Sequence, residues 1–383
     1  MSNSITRWAS LALLFVFGCA EPPSAAPEAE LEMTFAFLQG RQVYQPQLLS
    51  PDGSSLLLVW REEEAEGSNI YVARTDAAGT FLEPVRVNSK AGSVGGTDLD
   101  EIRPALAVDS DGSLAIAWGA RGGNIYAAVS RDNALTFGDP IRLNQDEKRA
   151  YRGFPSIAFD VNGVLHGTWI DARDAPPRAE EPADLYLAVV EGEAVREINL
   201  TARQEASICG CCRTSLQPSG AGLVATFRNT GGGYRDVSQI SIQPDGSFNE
   251  PTALAAPMWE LEGCPMAGPV NPRSDQALWM EASLGHWRLL ADQKDEDFSV
   301  LLEEDDDWMP RRPPRVLNSH DVKATDLLVP GDPHSRRLSY VNESWQATAD
   351  QLPNWATSGV LLDGRLLLIG AKNGEFRFEE RPM

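Results

Sequence analysis

The sequence predicts an all-β fold, a six-bladed β-propeller, and three observations lead to this prediction. Segments with the pattern of a β-hairpin recur along the chain. A short turn motif that ends in an aromatic residue recurs after them. The period of both patterns is about 55 residues, which is the size of a four-stranded propeller blade. Residues 33–383 have room for about six such blades.

The hairpin segments begin at a proline and reach a tryptophan 14 residues later. A glycine that follows Asp or Asn lies between two short apolar runs, which is a strong hairpin signal. A looser copy covers residues 213–227. The three clear copies start and end at Pro46 and Trp60, Pro104 and Trp118, and Pro155 and Trp169.

The turn motif occupies residues 74–81 and 130–137, and a shorter form covers residues 245–248. It resembles the Asp box of sialidase-type propellers, a turn between the third and fourth strands of a blade. The resemblance implies the sialidase superfamily fold and a structural role for the motif. Because a propeller ring has to close, we expect a strand near residues 33–37 to complete the C-terminal blade.

The N-terminus has the pattern of an export signal. An apolar run of about ten residues follows Arg7, too short to span a bilayer and suited to a signal peptide. It ends at Gly18-Cys19-Ala20, which resembles a bacterial lipobox and implies lipidation of Cys19. We therefore predict a signal peptide at residues 1–18, a disordered Pro-, Ala- and Glu-rich tether at residues 19–32, and a propeller at residues 33–383. The expected location is the cell envelope, with a lipid anchor in the outer membrane.

The net charge of −22 makes nucleic acid an unsuitable partner, because the chain repels phosphate backbones. The expected partners are the membrane, through the lipid anchor, and a glycan or protein ligand on the propeller face.

Residues just before the innermost strand of each blade line a shared pocket in a propeller. The repeated proline marks this position in each blade, and the residues found there are Gln45, Arg103, Arg152 and Arg213. Arg228 and Arg235 follow an inner hairpin. The five arginines are candidate ligand-binding residues, because a guanidinium group suits a carboxylate.

The sialidase resemblance implies three arginines for a carboxylate, a Tyr–Glu nucleophile pair and an acid/base Asp. Candidates for the catalytic groups are Asp100, Tyr340 and Glu343. The family's first arginine, in a motif that opens blade one, is replaced by Gln45. The sequence therefore argues against true sialidase activity, and an enzyme of this kind would be exo-glycosidase-like.

Four further cysteines occur as Cys209-Gly210-Cys211-Cys212 and at Cys264. The pattern resembles a bacterial branch of sialidase-like propellers with CxCC and GCP motifs. Two disulfides are one interpretation, since the count is even outside the cytoplasm. A copper, zinc or iron–sulfur site is the second, with Met266 and His320 as further candidate ligands. Free thiols are the third.

Three functions follow as hypotheses. The first is a glycan-binding protein or non-standard glycoside hydrolase, which rests on fold analogy. The second is a periplasmic metal-binding or redox protein built on the cysteines. The third is a scaffold that binds protein partners.

Overall fold

A computed structural model describes residues 35–95, 102–174, 183–202, 208–256, 258–263, 265–293, 298–317 and 326–382. Within the described residues, seven antiparallel sheets of three or four strands follow one another along the chain, so the fold is an all-β propeller. We number the sheets as blades 1 to 7. No helix among the described residues is long and apolar enough to cross a membrane.

The strands of the first four blades are as follows. Blade 1 contains β1 (Val43–Leu49), β2 (Leu57–Glu64), β3 (Gly67–Arg74) and β4 (Val85–Arg86). Blade 2 contains β5 (Ala105–Val108), β6 (Leu114–Gly119), β7 (Ile125–Ser130) and β8 (Ile141–Arg142). Blade 3 contains β9 (Arg152–Phe159), β10 (Leu165–Asp171), β11 (Asp184–Glu191) and β12 (Ala194–Asn199). Blade 4 contains β13 (Ser215–Ser219), β14 (Gly222–Arg228), β15 (Val237–Ile242) and β16 (Thr252–Ala253).

The last three blades are less regular. Blade 5 contains β17 (Val270–Arg273), β18 (Gln276–Glu281), β19 (Arg288–Asp292) and β20 (Phe298–Glu303). A small two-stranded sheet pairs β21 (Met309–Pro310) with β24 (Gly331–Asp332). Blade 6 contains β22 (Arg315–Leu317), β23 (Asp326–Val329), β25 (His334–Val341) and β26 (Ser344–Pro353). Blade 7 has three strands, β27 (Ser358–Leu362), β28 (Arg365–Lys372) and β29 (Glu375–Pro382).

The predicted blade count of six is therefore wrong, because the blades are not equally long. The innermost strands of blades 6 and 7 begin at Arg315 and Ser358, closer together than the repeat of about 55 residues. The sequence period came from the regular first half of the chain. Extending it to the second half merged two short blades into one.

The predicted N-terminal closing strand is also wrong for the described part of residues 33–37. Residues Ala36–Leu38 form a 3-10 turn, and blade 7 keeps only its own three strands. The Phe35 ring instead lies 4.9 Å from the ring of Phe376 and 4.8 Å from that of Phe378. Side-chain packing on β29 takes the place of backbone pairing at this edge.

The predicted hairpins are confirmed, and their tryptophans have a common role. Each proline-to-tryptophan segment forms the first and second strands of a blade. Each tryptophan pairs across to a tyrosine on the third strand and stacks on it, with ring planes 23 to 24° apart. These pairs are Trp60 with Tyr71, Trp118 with Tyr126, and Trp169 with Tyr186.

The hydrophobic core lies between neighbouring blades. One cluster joins Leu57 and Val72 of blade 1 to Ile116 and Trp118 of blade 2. Similar clusters join the later pairs, and the innermost strand β1 of blade 1 contacts β27 and β28 of blade 7. The ring therefore closes by packing of its first blade against its last.

Serine hydroxyls connect the innermost strands of adjacent blades. Ser156 Oγ of blade 3 accepts the N–H of Leu216 in blade 4 at 3.0 Å. Ser358 Oγ of blade 7 accepts the N–H of Leu48 in blade 1, also at 3.0 Å. The second of these hydrogen bonds crosses the seam where the ring closes.

Candidate functional site

A cavity of about 200 Å³ lies on the propeller axis. Its wall contains residues from the innermost strands of all seven blades, β1, β5, β9, β13, β17, β22 and β27. Three arginines from three different blades line it: Arg103, Arg213 and Arg315. None of the described residues that line the cavity is an Asp or a Glu. The described lining therefore carries positive charge, in a protein whose net charge is −22.

Hydrogen bonds hold two of the arginines in place. Arg103 Nε donates to Gln47 Oε1 at 3.1 Å, and Gln47 Nε2 donates to the carbonyl of Pro104 at 2.9 Å. Arg213 Nη1 donates to the carbonyl of Arg103 at 2.9 Å. Arg315 opens β22 and is buried at the cavity wall. Such fixed guanidinium groups lose little conformational freedom when they bind an anion.

A glycine brings blade 5 close to Arg213. A Cβ atom added at Gly268 would lie 2.1 Å from the carbonyl oxygen of Arg213. No side chain fits at that distance, so only glycine allows the two backbones to approach. The segment that precedes β17 thereby supports the backbone of one cavity arginine.

Three of the predicted ligand-binding arginines lie outside the cavity wall. Arg152 is buried in ion pairs, at 2.8 Å from Asp171 and 2.7 Å from Asp146. Arg235 donates from Nε to the carbonyl of Gly263 at 3.1 Å. Arg228 is fully buried and donates to backbone carbonyls, including those of Ala267 and Met280. These side chains connect elements of the fold.

The two catalytic candidates described by the structure lie on the other face of the ring. Strands alternate in direction within a blade, so the third-to-fourth strand turn lies opposite the residues that precede the first strand. Tyr340 lies near the end of β25, and Glu343 lies in the turn between β25 and β26. They line a separate surface cavity together with Arg273, whose guanidinium carbon is 4.3 Å from the Tyr340 ring centroid. Asp100 lies outside the described residues.

The surface cavity around Tyr340 also contains an acidic group with a shifted pKa. Burial raises the pKa of Asp292, which accepts a hydrogen bond from the N–H of Ala277 at 2.6 Å. The structure thus groups Tyr340, Glu343 and Asp292 away from the three cavity arginines.

The cysteine motif lies immediately before Arg213. Cys209 Sγ is 3.4 Å from Cys211 Sγ and 3.2 Å from Cys212 Sγ. Cys211 is disulfide-bonded, Cys212 is a buried free thiol, and Cys209 is buried beside both. Burial raises the pKa of the Cys212 thiol well above its usual value. Cys264 and His320 lie outside the described residues, and Met266 is half-buried with a φ of 50°.

Sequence reasoning missed two cavity residues, Gln47 and Arg315. The repeated proline indicates Gln45 as the cavity residue of blade 1. In the structure Gln47, two residues later, lines the cavity and accepts a hydrogen bond from Arg103. Arg315 starts the innermost strand of blade 6, which the six-blade count had placed near residue 320. The short strand Arg315–Leu317 after a Pro-Pro pair was the available signal.

No protein-family model and no curated protein matches the chain. Solved structures match it at low sequence identity. A PL25 polysaccharide lyase, an ulvan lyase bound to -[GlcA(1-4)Rha3S]-, has a TM-score of 0.53 and 12% identity, with 88% of this chain and 93% of that chain covered.

Two further structures illustrate the range of the likeness. A puromycin-hydrolysing peptidase of Mycobacterium tuberculosis has a TM-score of 0.55 and 12% identity over 88% of this chain, which spans 53% of the peptidase. A Hadza microbial sialidase has a TM-score of 0.47 and 14% identity, with 89% of this chain and 66% of that chain covered. The likenesses to the lyase and the peptidase agree with the β-propeller fold described above.

Proposed function

We propose that this protein is a lipid-anchored protein of the cell envelope that binds an acidic saccharide in its central cavity. The observation that carries the proposal is the convergence of Arg103, Arg213 and Arg315 on one cavity whose described lining contains no carboxylate. Guanidinium groups form strong charge-assisted hydrogen bonds with carboxylates and sulfates. The anchor is Cys19 in its lipobox-like context, in the outer membrane, and the sialidase superfamily is the proposed origin of the fold.

The size of the cavity supports a small acidic group as the ligand. Its volume of about 200 Å³ is below the range of about 300–1,000 Å³ found for drug-sized ligands. One charged sugar unit at the end of a longer chain matches this volume. Hydroxyl groups of Thr214, Ser215 and Ser358 add neutral hydrogen-bonding partners to the wall.

Binding, and not hydrolysis, is the function that this geometry favours. Glycosidases need a pair of groups close to the scissile bond, whereas Tyr340 and Glu343 line a cavity on the opposite face. The ulvan lyase with a similar fold holds -[GlcA(1-4)Rha3S]-, which contains a uronic acid and a sulfate. An acidic saccharide of that chemical class is the ligand that we propose here.

Titration calorimetry at low salt tests the proposal with the full-length protein extracted from membranes in detergent. We expect saccharides that end in a uronic or sialic acid to bind, and their neutral counterparts to fail. Arg103→Gln and Arg315→Gln should each weaken binding at least tenfold, since a hydrogen bond to a charged group contributes about 1.5–3 kcal/mol. Cys19→Ala should move the protein out of the membrane fraction.

The matched control is Arg365→Gln, because Arg365 lies in an ion pair with Glu380 away from the cavity. This variant should bind like the wild type. Equal affinity for acidic and neutral saccharides, or full binding by the Arg103 and Arg315 variants, would contradict the proposal. Release of sialic acid from a glycoconjugate would show that the argument from Gln45 against sialidase activity is wrong.

A further inference from the structure

A second cavity, of about 510 Å³, lies in the seam between blades 1 and 2. We call it the rim cavity. Residues 88–93 of the loop after β4, Arg121 of the turn between β6 and β7, and Tyr126 of β7 line it. The central cavity has room for one sugar unit, so the rest of a longer saccharide has to lie elsewhere on the propeller.

The rim cavity lies at the same end of blade 2 as the central-cavity residue Arg103. Ala105 of β5 pairs with Ala117 of β6. Arg103 comes two residues before Ala105, and Arg121 comes four residues after Ala117. Both arginines therefore lie beyond the same end of two adjacent strands, whose backbones are about 4.8 Å apart. One saccharide chain can reach from the first arginine to the second.

The loop that carries Lys90 is fixed between the two blades. Asn88 Nδ2 donates to the carbonyl of Lys90 at 2.7 Å and to Oδ1 of Asn69 at 2.8 Å. Val94, just after the loop, forms a β-bridge with blade 1 and another with blade 2. A backbone held in this way needs little further ordering when a ligand binds.

Arg121 is placed by a glycine of the neighbouring blade. A Cβ atom added at Gly67 would lie 2.5 Å from Nη2 of Arg121. The guanidinium group therefore packs directly on the backbone of Gly67, where a larger residue would displace it. The N–H of Arg121 also donates to the carbonyl of Ser93 at 2.9 Å, which joins its turn to the loop of Lys90.

Two exposed cations of the rim cavity are available to a ligand. Within the described part of the chain, no carboxylate forms an ion pair with Lys90 or Arg121. Glu63 interacts with the charge of Arg121 at longer range, but its own ion pair, at 2.8 Å, is with Arg61. Glu66 is the one carboxylate of the described lining. The two cations therefore outnumber the acidic groups of the rim cavity.

We propose that the rim cavity binds a second acidic unit of the saccharide whose terminal unit occupies the central cavity, an inference that rests on the proposed function. Arg121 and Lys90 would donate charge-assisted hydrogen bonds to a carboxylate or sulfate of that unit. The partly exposed Tyr126, which stacks on Trp118, offers an apolar surface to the sugar ring. The preferred ligand is an acidic oligosaccharide with a charge on more than one sugar unit.

Titration calorimetry with galacturonic acid and with its short oligomers tests the proposal, with the full-length protein in detergent at low salt. When one chain occupies both cavities, the second contact is intramolecular, so affinity should rise at least about tenfold from monomer to oligomer. Arg121→Gln and Lys90→Gln should each remove most of this rise. Glu66→Gln should enlarge it, because a repelling charge is lost. Since the cations are exposed, the rise should shrink as salt is added.

Lys148→Gln is the matched control, because Lys148 is an exposed lysine outside the rim cavity whose ammonium group pairs with Asp174 at 2.7 Å. This variant should show the same rise as the wild type. Arg103→Gln should weaken the binding of monomer and oligomers alike, which separates the central cavity from the rim cavity.

Two results would overturn this inference and leave the proposed function standing. One is a wild-type protein that binds the monomer but binds the oligomers no more tightly. The other is a rise in affinity that survives in both the Arg121 and the Lys90 variants. A wild-type protein that binds neither the monomer nor the oligomers would contradict the proposed function together with this inference.

Discussion

Aspartates in the turns of the blades stabilise the backbone through their charged form. Asp132, in the turn between β7 and β8, accepts hydrogen bonds from the hydroxyl and the N–H of Thr136. These bonds lower the pKa of Asp132 to about 2. Similar contacts hold Asp76 against the N–H groups of Ala78 and Thr80. A surface carboxylate can thus fix a turn without any catalytic role.

The lowered pKa of Asp132 predicts a pH-dependent contribution to stability. The folded-state pKa is below the ordinary value of about 3.8, so the stabilisation is complete above about pH 4 and disappears as the pH falls towards 2. Asp132→Asn should lower the urea midpoint at pH 7, and the difference from wild type should shrink below pH 4. Thr136→Val should show part of the same effect. A difference that stays constant from pH 7 to pH 3 would contradict this account.

Single residues could be predicted where several blades repeat the same contact. The prediction failed for residues of the central cavity. The tryptophans are visible in the sequence because several blades need the same contact, and the structure shows asparagines that recur for the same reason. Asn88 and Asn144, for example, accept the N–H groups of Ile70 and Ile125 at 2.9 Å. Arg315 opens a blade that the repeat of about 55 residues did not predict, and Arg152 occupies the same place before its strand as Arg103 but forms ion pairs. The position of a residue relative to the repeated proline does not by itself determine the direction of its side chain.

At the level of single elements, the tryptophan at the end of the second strand connects the core to a buried ionic network. Trp169 is fully buried, stacks on Tyr186 and donates from Nε1 to Asp171 at 2.9 Å. Asp171 also pairs with Arg152 and Arg173. The strand pair β10–β11 therefore depends on this side chain for both packing and polar contacts.

Replacing Trp169 should destabilise the protein through two separable losses, that of the ring packing and that of the hydrogen bond to Asp171. Trp169→Ala removes the ring and should cost about 3–5 kcal/mol in the free energy of unfolding. Trp169→Phe keeps most of the packing but removes one hydrogen-bond donor from Asp171. This loss should cost about 1–3 kcal/mol in the free energy of unfolding. Urea denaturation measures both free energies of unfolding. The same two substitutions at the half-buried Trp345 are the control. Equal losses for the two variants would show that the hydrogen bond, and not the ring, dominates.

The ring as a whole has one joint that differs from the others. Covalent chain connects every pair of neighbouring blades except 7 and 1. These two meet through packing and through hydrogen bonds, which include Leu48 N–H to Ser358 Oγ and Val43 N–H to the carbonyl of Gly374. The sequence predicted a closed ring but placed a shared strand at this joint. That prediction failed because residues 36–38 form a turn and Phe35 packs by its side chain.

Removal of the hydroxyl at this joint should loosen blades 1 and 7 selectively. Ser358→Ala removes the hydroxyl that accepts the buried N–H of Leu48, and hydrogen exchange by mass spectrometry should show faster exchange in these two blades. Ser156→Ala removes the same bond between blades 3 and 4 and is the matched control. Because the chain itself links blades 3 and 4, we expect no loosening of the ring in the Ser156 variant. Exchange in blades 1 and 7 of that variant should stay slow. Uniformly faster exchange in the Ser358 variant would argue against a special joint.

The contact of Phe35 with Phe376 and Phe378 brings the start of the described chain beside its last strand. A short linker from the end of β29 back to Phe35 would therefore make the polypeptide covalently circular. New ends could then be cut into the surface loop between β4 and β5 or into that between β8 and β9. Such a permuted chain would move the open joint to another pair of blades while it keeps the arginine-lined axis intact.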